Sequence, residues 1–292
     1  MNIIHYTPTN YEGGSLGGVA RFDHELRKVF PDMISILRGR TPLYRINFAN
    51  SIVITDHSFV TEIPPNAKVI AVHHGMAAEH ILRNPEWQGA LYVKQQQKMT
   101  KRNGKTWFVG ISKFTQEAAK VHHDIEDDAV ILHAVDTVPI DKAQRGYNVI
   151  GDWRTPSKGK DLIRQLAAEC PEFTFNQLSC GKYDKANGYA NQNIYLSLSA
   201  CEGNSYAVMD AIACGIPVVA TDVGLFGGDY DKRLGEIISW QDRANVSVVK
   251  EQLYNVYNNY DQYNPIEWMN ETITFDNWKT LWKDFVEKVD AS

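Results

Sequence analysis

The chain has 292 residues, is 43% hydrophobic, and sets 30 Lys and Arg against 35 Asp and Glu, for a formal charge of −5. That length suits about two domains of roughly 150 residues, each able to bury a core. The acidic balance argues against a general nucleic-acid binder, and no apolar run approaches the roughly 20 residues of a membrane helix.

The first residues lack the basic start and long apolar core of a signal peptide. They read as a strand, Ile3–Tyr6, running into a glycine loop from Tyr11 to Val19. Further β-rich apolar runs follow at Met33–Leu37, Ser51–Thr55, Val69–Val72, Trp107–Ile111 and Val130–Leu132. Helical candidates lie between them. Val19, Phe22, Leu26 and Phe30 recur at near-helical spacing within Gly18–Phe30. Ser112 predicts an N-cap for a helix over Lys113–Val121.

A second series begins with the strand Tyr147–Gly151. The helix Lys160–Glu169 follows, then the strands Phe173–Leu178 and Ile194–Ser199, a short helix over Asn204–Cys214, and the strand Ile216–Ala220. Two helical stretches, at about 243–259 and 275–289, close the order. Alternation of this kind predicts α/β architecture with parallel sheets covered by helices. Val135–Arg145 is the linker candidate, giving an N-terminal domain over 1–140, a C-terminal domain over 146–265 and a closing helical segment over 266–292. Cys170, Cys180, Cys201 and Cys214 form no C-x-x-C pair and no metal-like spacing with histidine. Reduced, packed thiols in a cytoplasmic protein are the expected state.

The stretch Ser197–Gly224 carries the most chemistry. A buried strand enters a turn holding Glu202 and Gly203, a short helix follows, and Gly215 and Pro217 stop it before the next strand. Asn204 or Ser205 is placed to cap the first turn, and Gly215 supplies a left-handed closing residue. The free amides and positive end of that helix, with Gly203, Asn204, Ser205 and Tyr206 at its start, suit an anion such as a diphosphate. Asp210 lies eight positions after Glu202, about 12 Å of axis if the helix begins at Glu202. Two acceptors so spaced would grip hydroxylated groups on either side of a phosphate, the layout of a nucleotide sugar.

This stretch resembles the donor-binding signature of family 4 of the retaining glycosyltransferases, E-G-x6-E followed by A-x-A-x-G-x-P-V-V, with Asp210 in place of the second Glu. The resemblance implies a GT-B fold, two Rossmann-like domains with parallel sheets facing a cleft, and a nucleoside-diphosphate sugar, of UDP or GDP type, as co-substrate. By the same resemblance Glu202 touches the transferred sugar and Asp210 holds the ribose. Gly17 and Gly18 match the family's glycine pair facing the donor. Val149–Gly159 resembles a G-R-x(n)-K-G segment in which Lys158 matches the lysine and Arg154 stands displaced from the arginine, because Asp152 follows Gly151 directly. His73, with His74 as the alternative, matches a histidine that contacts the donor sugar. The family tends to send its last helix back to the first domain, and Trp268, Trp278, Trp282 and Phe285 are candidates for the apolar face of such a helix.

Asp229-Tyr-Asp231 is formally D-x-D, but it lies in a polar loop without a preceding strand and reads as a chance match, so no metal is expected. Lys94, Lys98, Lys101 and Arg102 can share one helix side. This is either a solvated face or one that meets an anionic membrane or a phosphate-bearing acceptor. The expectation is a metal-independent, retaining hexosyltransferase acting on a glycan, lipid-linked or other acceptor, with Glu202, His73 and Lys158 catalytic. It would be cytoplasmic, with peripheral membrane contact as one option. A sugar-nucleotide epimerase of the same architecture and a non-catalytic nucleotide-sugar binder are the alternatives.

Overall fold

Parallel strands alternate with helices through both halves of the chain, as the apolar runs predict. A computed structural model describes residues 2–9, 17–48, 50–136, 145–178 and 188–292. The chain forms two units, one spanning Met1–His133 and Asp276–Ser292, the other Ala134–Phe275. Most of the linker candidate, residues 137–144, and the glycine-loop residues 11–16 lie outside the described residues, as does Cys180.

Among the described residues of unit one, six parallel strands make a single sheet: β1 (Asn2–Thr7), β2 (Ile34–Leu37), β3 (Ser51–Asp56), β4 (Lys68–His73), β5 (Thr106–Gly110) and β6 (Ala129–Val130). Their order is β2-β1-β3-β4-β5-β6. β3 and β4 sit centrally, which is why they read as near-continuous apolar runs rather than alternating ones. Helices α1 (Gly18–Val29), α2 (Ala77–Arg83), α3 (Ala90–Gln96) and α4 (Lys113–His123) follow in chain order. The Ser112 hydroxyl accepts from the Thr115 amide while the Thr115 hydroxyl accepts from the Ser112 amide, so both ends of a capping box are made. One face of the sheet buries Val53, Val69 and Ala71 against Met99, Ala118 and Ala119.

Unit two has five parallel strands among its described residues: β7 (Asn148–Gly151), β8 (Thr174–Gln177), β9 (Ile194–Ser197), β10 (Val218–Thr221) and β11 (Gly235–Ile238). Their order is β11-β10-β9-β7-β8. Helices α5 (Lys160–Glu169), α6 (Tyr206–Ala213), α7 (Val246–Asn258) and α8 (Pro265–Thr272) accompany them. Leu162 and Leu166 of α5, Leu196 of β9 and Val249 and Leu253 of α7 share one core. The last helix, α9 (Phe275–Ala291), buries Trp278, Trp282 and Phe285. Trp278 and Trp282 lie against Phe22 of α1, with ring centroids 6.4 and 5.6 Å apart. Trp268 does not share that face. It is buried on the separate helix α8, because Ile273 and Thr274 interrupt the helical run between them.

In each sheet the connection reverses direction once. The reversal falls between β1 and β3 in unit one and between β7 and β9 in unit two. Open α/β sheets take ligands outside the carboxyl ends of the strands at such a switch point.

Candidate functional site

Lys158 and Glu202 leave neighbouring strands of unit two at that switch point. The loop after β7 carries Asp152, Arg154 and Lys158; the loop after β9 carries Ser199 and Glu202. A backbone bond from the Ala200 amide to the Ser157 carbonyl, 2.8 Å, ties the loops together. Gly159 makes the close approach possible. It has φ +87°, and a Cβ there would stand 2.7 Å from the Leu198 Cβ. A third loop, after β10, closes on the same place. Gly224 has φ +61°, and a Cβ on it would meet the Gly203 carbonyl oxygen at 3.0 Å.

The result is a chain of charges. The Lys158 ammonium lies 3.2 Å from a Glu202 oxygen and donates to an Asp152 oxygen at 3.0 Å. Arg154 donates to both Asp152 oxygens, at 2.6 and 2.9 Å. Ser199 donates to Glu202 at 2.8 Å. The Glu202 charge, acting against burial and helped by Asp152, raises the Lys158 pKa. Burial pushes the Asp152 carboxyl up, but the Arg154 hydrogen bonds and the Lys158 charge outweigh it and hold the group at about 2. Asp152 is only 8% exposed, Glu202 22% and Lys158 31%.

Helix α6 begins at Tyr206, four positions after Glu202, so Glu202 lies in the turn and the estimate of helical rise between the two acids does not apply. Ser205 is the N-cap residue, and its side chain makes no capping hydrogen bond. Gly215 takes the left-handed conformation expected of it, with φ +73°. Asn204, Tyr206 and Asp210 are buried, Asp210 to 1% exposure.

In unit one, Gly17 is the N-cap residue of α1 and Gly18 its first residue. His73 ends β4 and is fully buried. Its Nδ1 lies 2.9 Å from Asp127, and its ring meets those of His57 and Phe108. His74 is partly exposed and turns to the opposite face, against Phe22 and His133. Burial drives the His74 pKa down to about 4. Asp127, on the short segment before β6, is a neighbour of His73 that no sequence signal marks.

Solved structures similar to that of this protein include the following. Sucrose-phosphate synthase from Thermosynechococcus elongatus matches at a TM-score of 0.76 and 12% identity over 100% of both chains. Anabaena HepE in complex with UDP and glucose matches at 0.76 and 12%, over 98% of this chain and 99% of that one. The pneumococcal O-GlcNAc transferase GtfA, in complex with UDP and GlcNAc, matches at 0.60 and 16%. This chain is covered to 84% in that last match and spans 58% of GtfA's length. The fold is of the GT-B type. No protein-family model matches the chain, and no curated sequence is similar to it.

Two further sequence expectations meet the GT-B structure differently. Asp231 of the D-x-D match caps the turn Lys232–Leu234 and pairs with Arg233. The basic run is broken. Lys94 lies on α3, Lys98 follows its end, and Lys101 sits in a separate turn. All three lysines are exposed. Arg102 does not join them. Its guanidinium donates to the carbonyls of Pro64, Ala67 and Lys105 at 2.7 to 3.0 Å, which pins the segment before β4 to the one before β5. No described helix is long and apolar enough to cross a membrane.

Proposed function

We propose that this chain is a retaining glycosyltransferase of the family 4 kind, moving a sugar from a nucleoside-diphosphate sugar to a hydroxyl of a glycan, lipid-linked or other acceptor. One observation carries the reading. At the switch point of the second sheet, Lys158 stands 3.2 Å from Glu202, just ahead of the start of α6. A fixed cation, an acid and helix-start amides side by side suit a diphosphate joined to a hydroxyl-rich sugar.

As the bond between sugar and diphosphate breaks, negative charge gathers on the leaving phosphate, and Lys158 with Arg154 stabilises it. Glu202, ion-paired and accepting from Ser199, takes hydrogen bonds from sugar hydroxyls. It positions the sugar rather than bonding to it. The acceptor hydroxyl attacks the anomeric carbon on the face the diphosphate leaves, gives its proton to the departing phosphate oxygen, and retains the configuration. Asp210 is the ribose-side acid. The roles of Gly17, Gly18 and His73 rest on the family resemblance alone. The UDP complexes of HepE and GtfA support a UDP-type donor. Leu91 and Tyr92, exposed beside Lys94, support an acceptor-side face for an anionic lipid surface.

A thermal-shift screen with UDP, GDP and their sugars tests the donor, because a ligand bound only by the folded state raises apparent stability, by about 2.7 kcal/mol at a hundredfold excess over Kd. Glu202→Ala is expected to abolish transfer while keeping nucleotide binding and a cooperative melt; full activity in that variant rejects the assignment. Product analysis with a nucleotide sugar and no acceptor separates transfer from epimerisation. Sedimentation with vesicles of anionic phospholipid tests the lysine face, and loss of binding in a Lys94→Glu, Lys98→Glu variant is the expected result.

A further inference from the structure

Asp152 stands where the resemblance to family 4 would put an arginine, and its surroundings give that departure a purpose. Its carboxylate is 8% exposed and accepts three hydrogen bonds, two from Arg154 and one from Lys158. These are the two cations assigned to the diphosphate. Lys158 is held on its other side by Glu202. Two acids and two bases thus make this four-residue cluster formally neutral.

We propose that Asp152 is a positioning residue and resident counter-ion, which holds Lys158 and Arg154 together and gives them up in part to the diphosphate of an incoming nucleotide. The inference rests on the donor site proposed above. A carboxylate already seated on both cations competes with the ligand for their charge, so it weakens nucleotide binding. It also fixes two long side chains that would otherwise lose rotamer freedom on binding. A diphosphate carries at least two negative charges, and each is opposed by a carboxylate about 4 Å away by about 4 kcal/mol near a protein surface, against at most about 4 kcal/mol for the rotamer freedom of two long side chains, so the charge effect is the larger. Removing the charge while keeping the shape should therefore tighten nucleotide binding. A residue that merely stabilised the loop would have the opposite effect.

The experiment is calorimetric titration of the full chain with UDP and with GDP at fixed ionic strength. In Asp152→Asn the preferred nucleotide should bind about 5- to 20-fold more tightly than in wild type, and Asp152→Glu, which keeps the charge, should stay within about twofold of wild type. In a Lys158→Met background the Asp152→Asn gain should shrink to about twofold. Unchanged or weaker binding in a folded Asp152→Asn protein overturns the inference, and so does equal tightening in Asp152→Glu. If Asp152→Asn does not fold, Asp152→Ser takes its place with the same expected sign. The donor-site reading fails separately: wild type that binds neither nucleotide, or Lys158→Met that binds as well as wild type, rejects that reading and this inference with it.

Discussion

Lys158 keeps its proton in a half-buried place because two carboxylates face it, Glu202 first and Asp152 second. Lys158→Met is expected to lower nucleotide affinity at least tenfold, measured by titration, since it removes the cation and leaves the two acids facing each other. The same network has a signature in acid. Asp152 has its folded pKa pulled down to about 2 from an ordinary 3.8. Its contribution to stability is therefore complete above pH 4 and disappears as pH falls toward 2, by at most about 2 kcal/mol. Denaturation midpoints at pH 4.5 and 2.5 should converge between wild type and Asp152→Asn at the lower pH. Glu202 and Gly203 were readable as a turn ahead of a short helix, whereas Lys158 was marked only by the resemblance of its Lys-Gly pair to the family segment, and its 3.2 Å approach to Glu202 comes from the sheet order. The bonds of Asp152 were not legible, because they depend on which way two long side chains fold back across a loop. Nor was Asp127, which reaches His73 from a different strand connection.

Single elements divide in the same way. The helix after Ser112 was readable from its cap, and Ser112→Ala should cost about 1 kcal/mol in a denaturant melt. Most strands were found within one to three residues, because buried parallel strands are apolar runs. β11 was missed. It is four residues long and opens on Gly235, at φ +141°, where a Cβ would collide with the Val218 carbonyl. Helix α8 was read only as part of a closing helical segment over 266–292, although it carries its own start signal: Asn264 accepts from the Glu267 amide and Pro265 opens the first turn. The lysine run reads as one helix side by spacing. Arg102 leaves that side because the carbonyls of Pro64, Ala67 and Lys105 need a donor, and a burial term outweighs the surface preference of one arginine. In α9, Trp282 is fully buried against Phe22. Trp282→Ala should destabilise unit one by about 3 to 5 kcal/mol.

Across the molecule, acid sensitivity should begin well above the carboxylate range. Burial lowers the pKa of His57, His74, His123 and His133, to about 4 for His74 and His123. A histidine whose folded pKa lies below its unfolded value of 6.5 binds fewer protons when folded. Its stabilising effect is thus full above pH 6.5 and is lost as pH falls toward 4. All four lie in unit one. The melting temperature should fall between pH 7 and 5, and His133→Asn should flatten that slope. Unit one is also a discontinuous domain, with Ala134–Phe275 inserted before its last seventeen residues, Asp276–Ser292. On the ribosome, the inserted unit is complete and free to fold while the earlier one still lacks Trp278 and Trp282. Until those two indoles emerge, Phe22 keeps its contacts with His5, His74 and His133 but lacks the apolar cover of the last helix, and that is the interval at which chaperones would have most to hold.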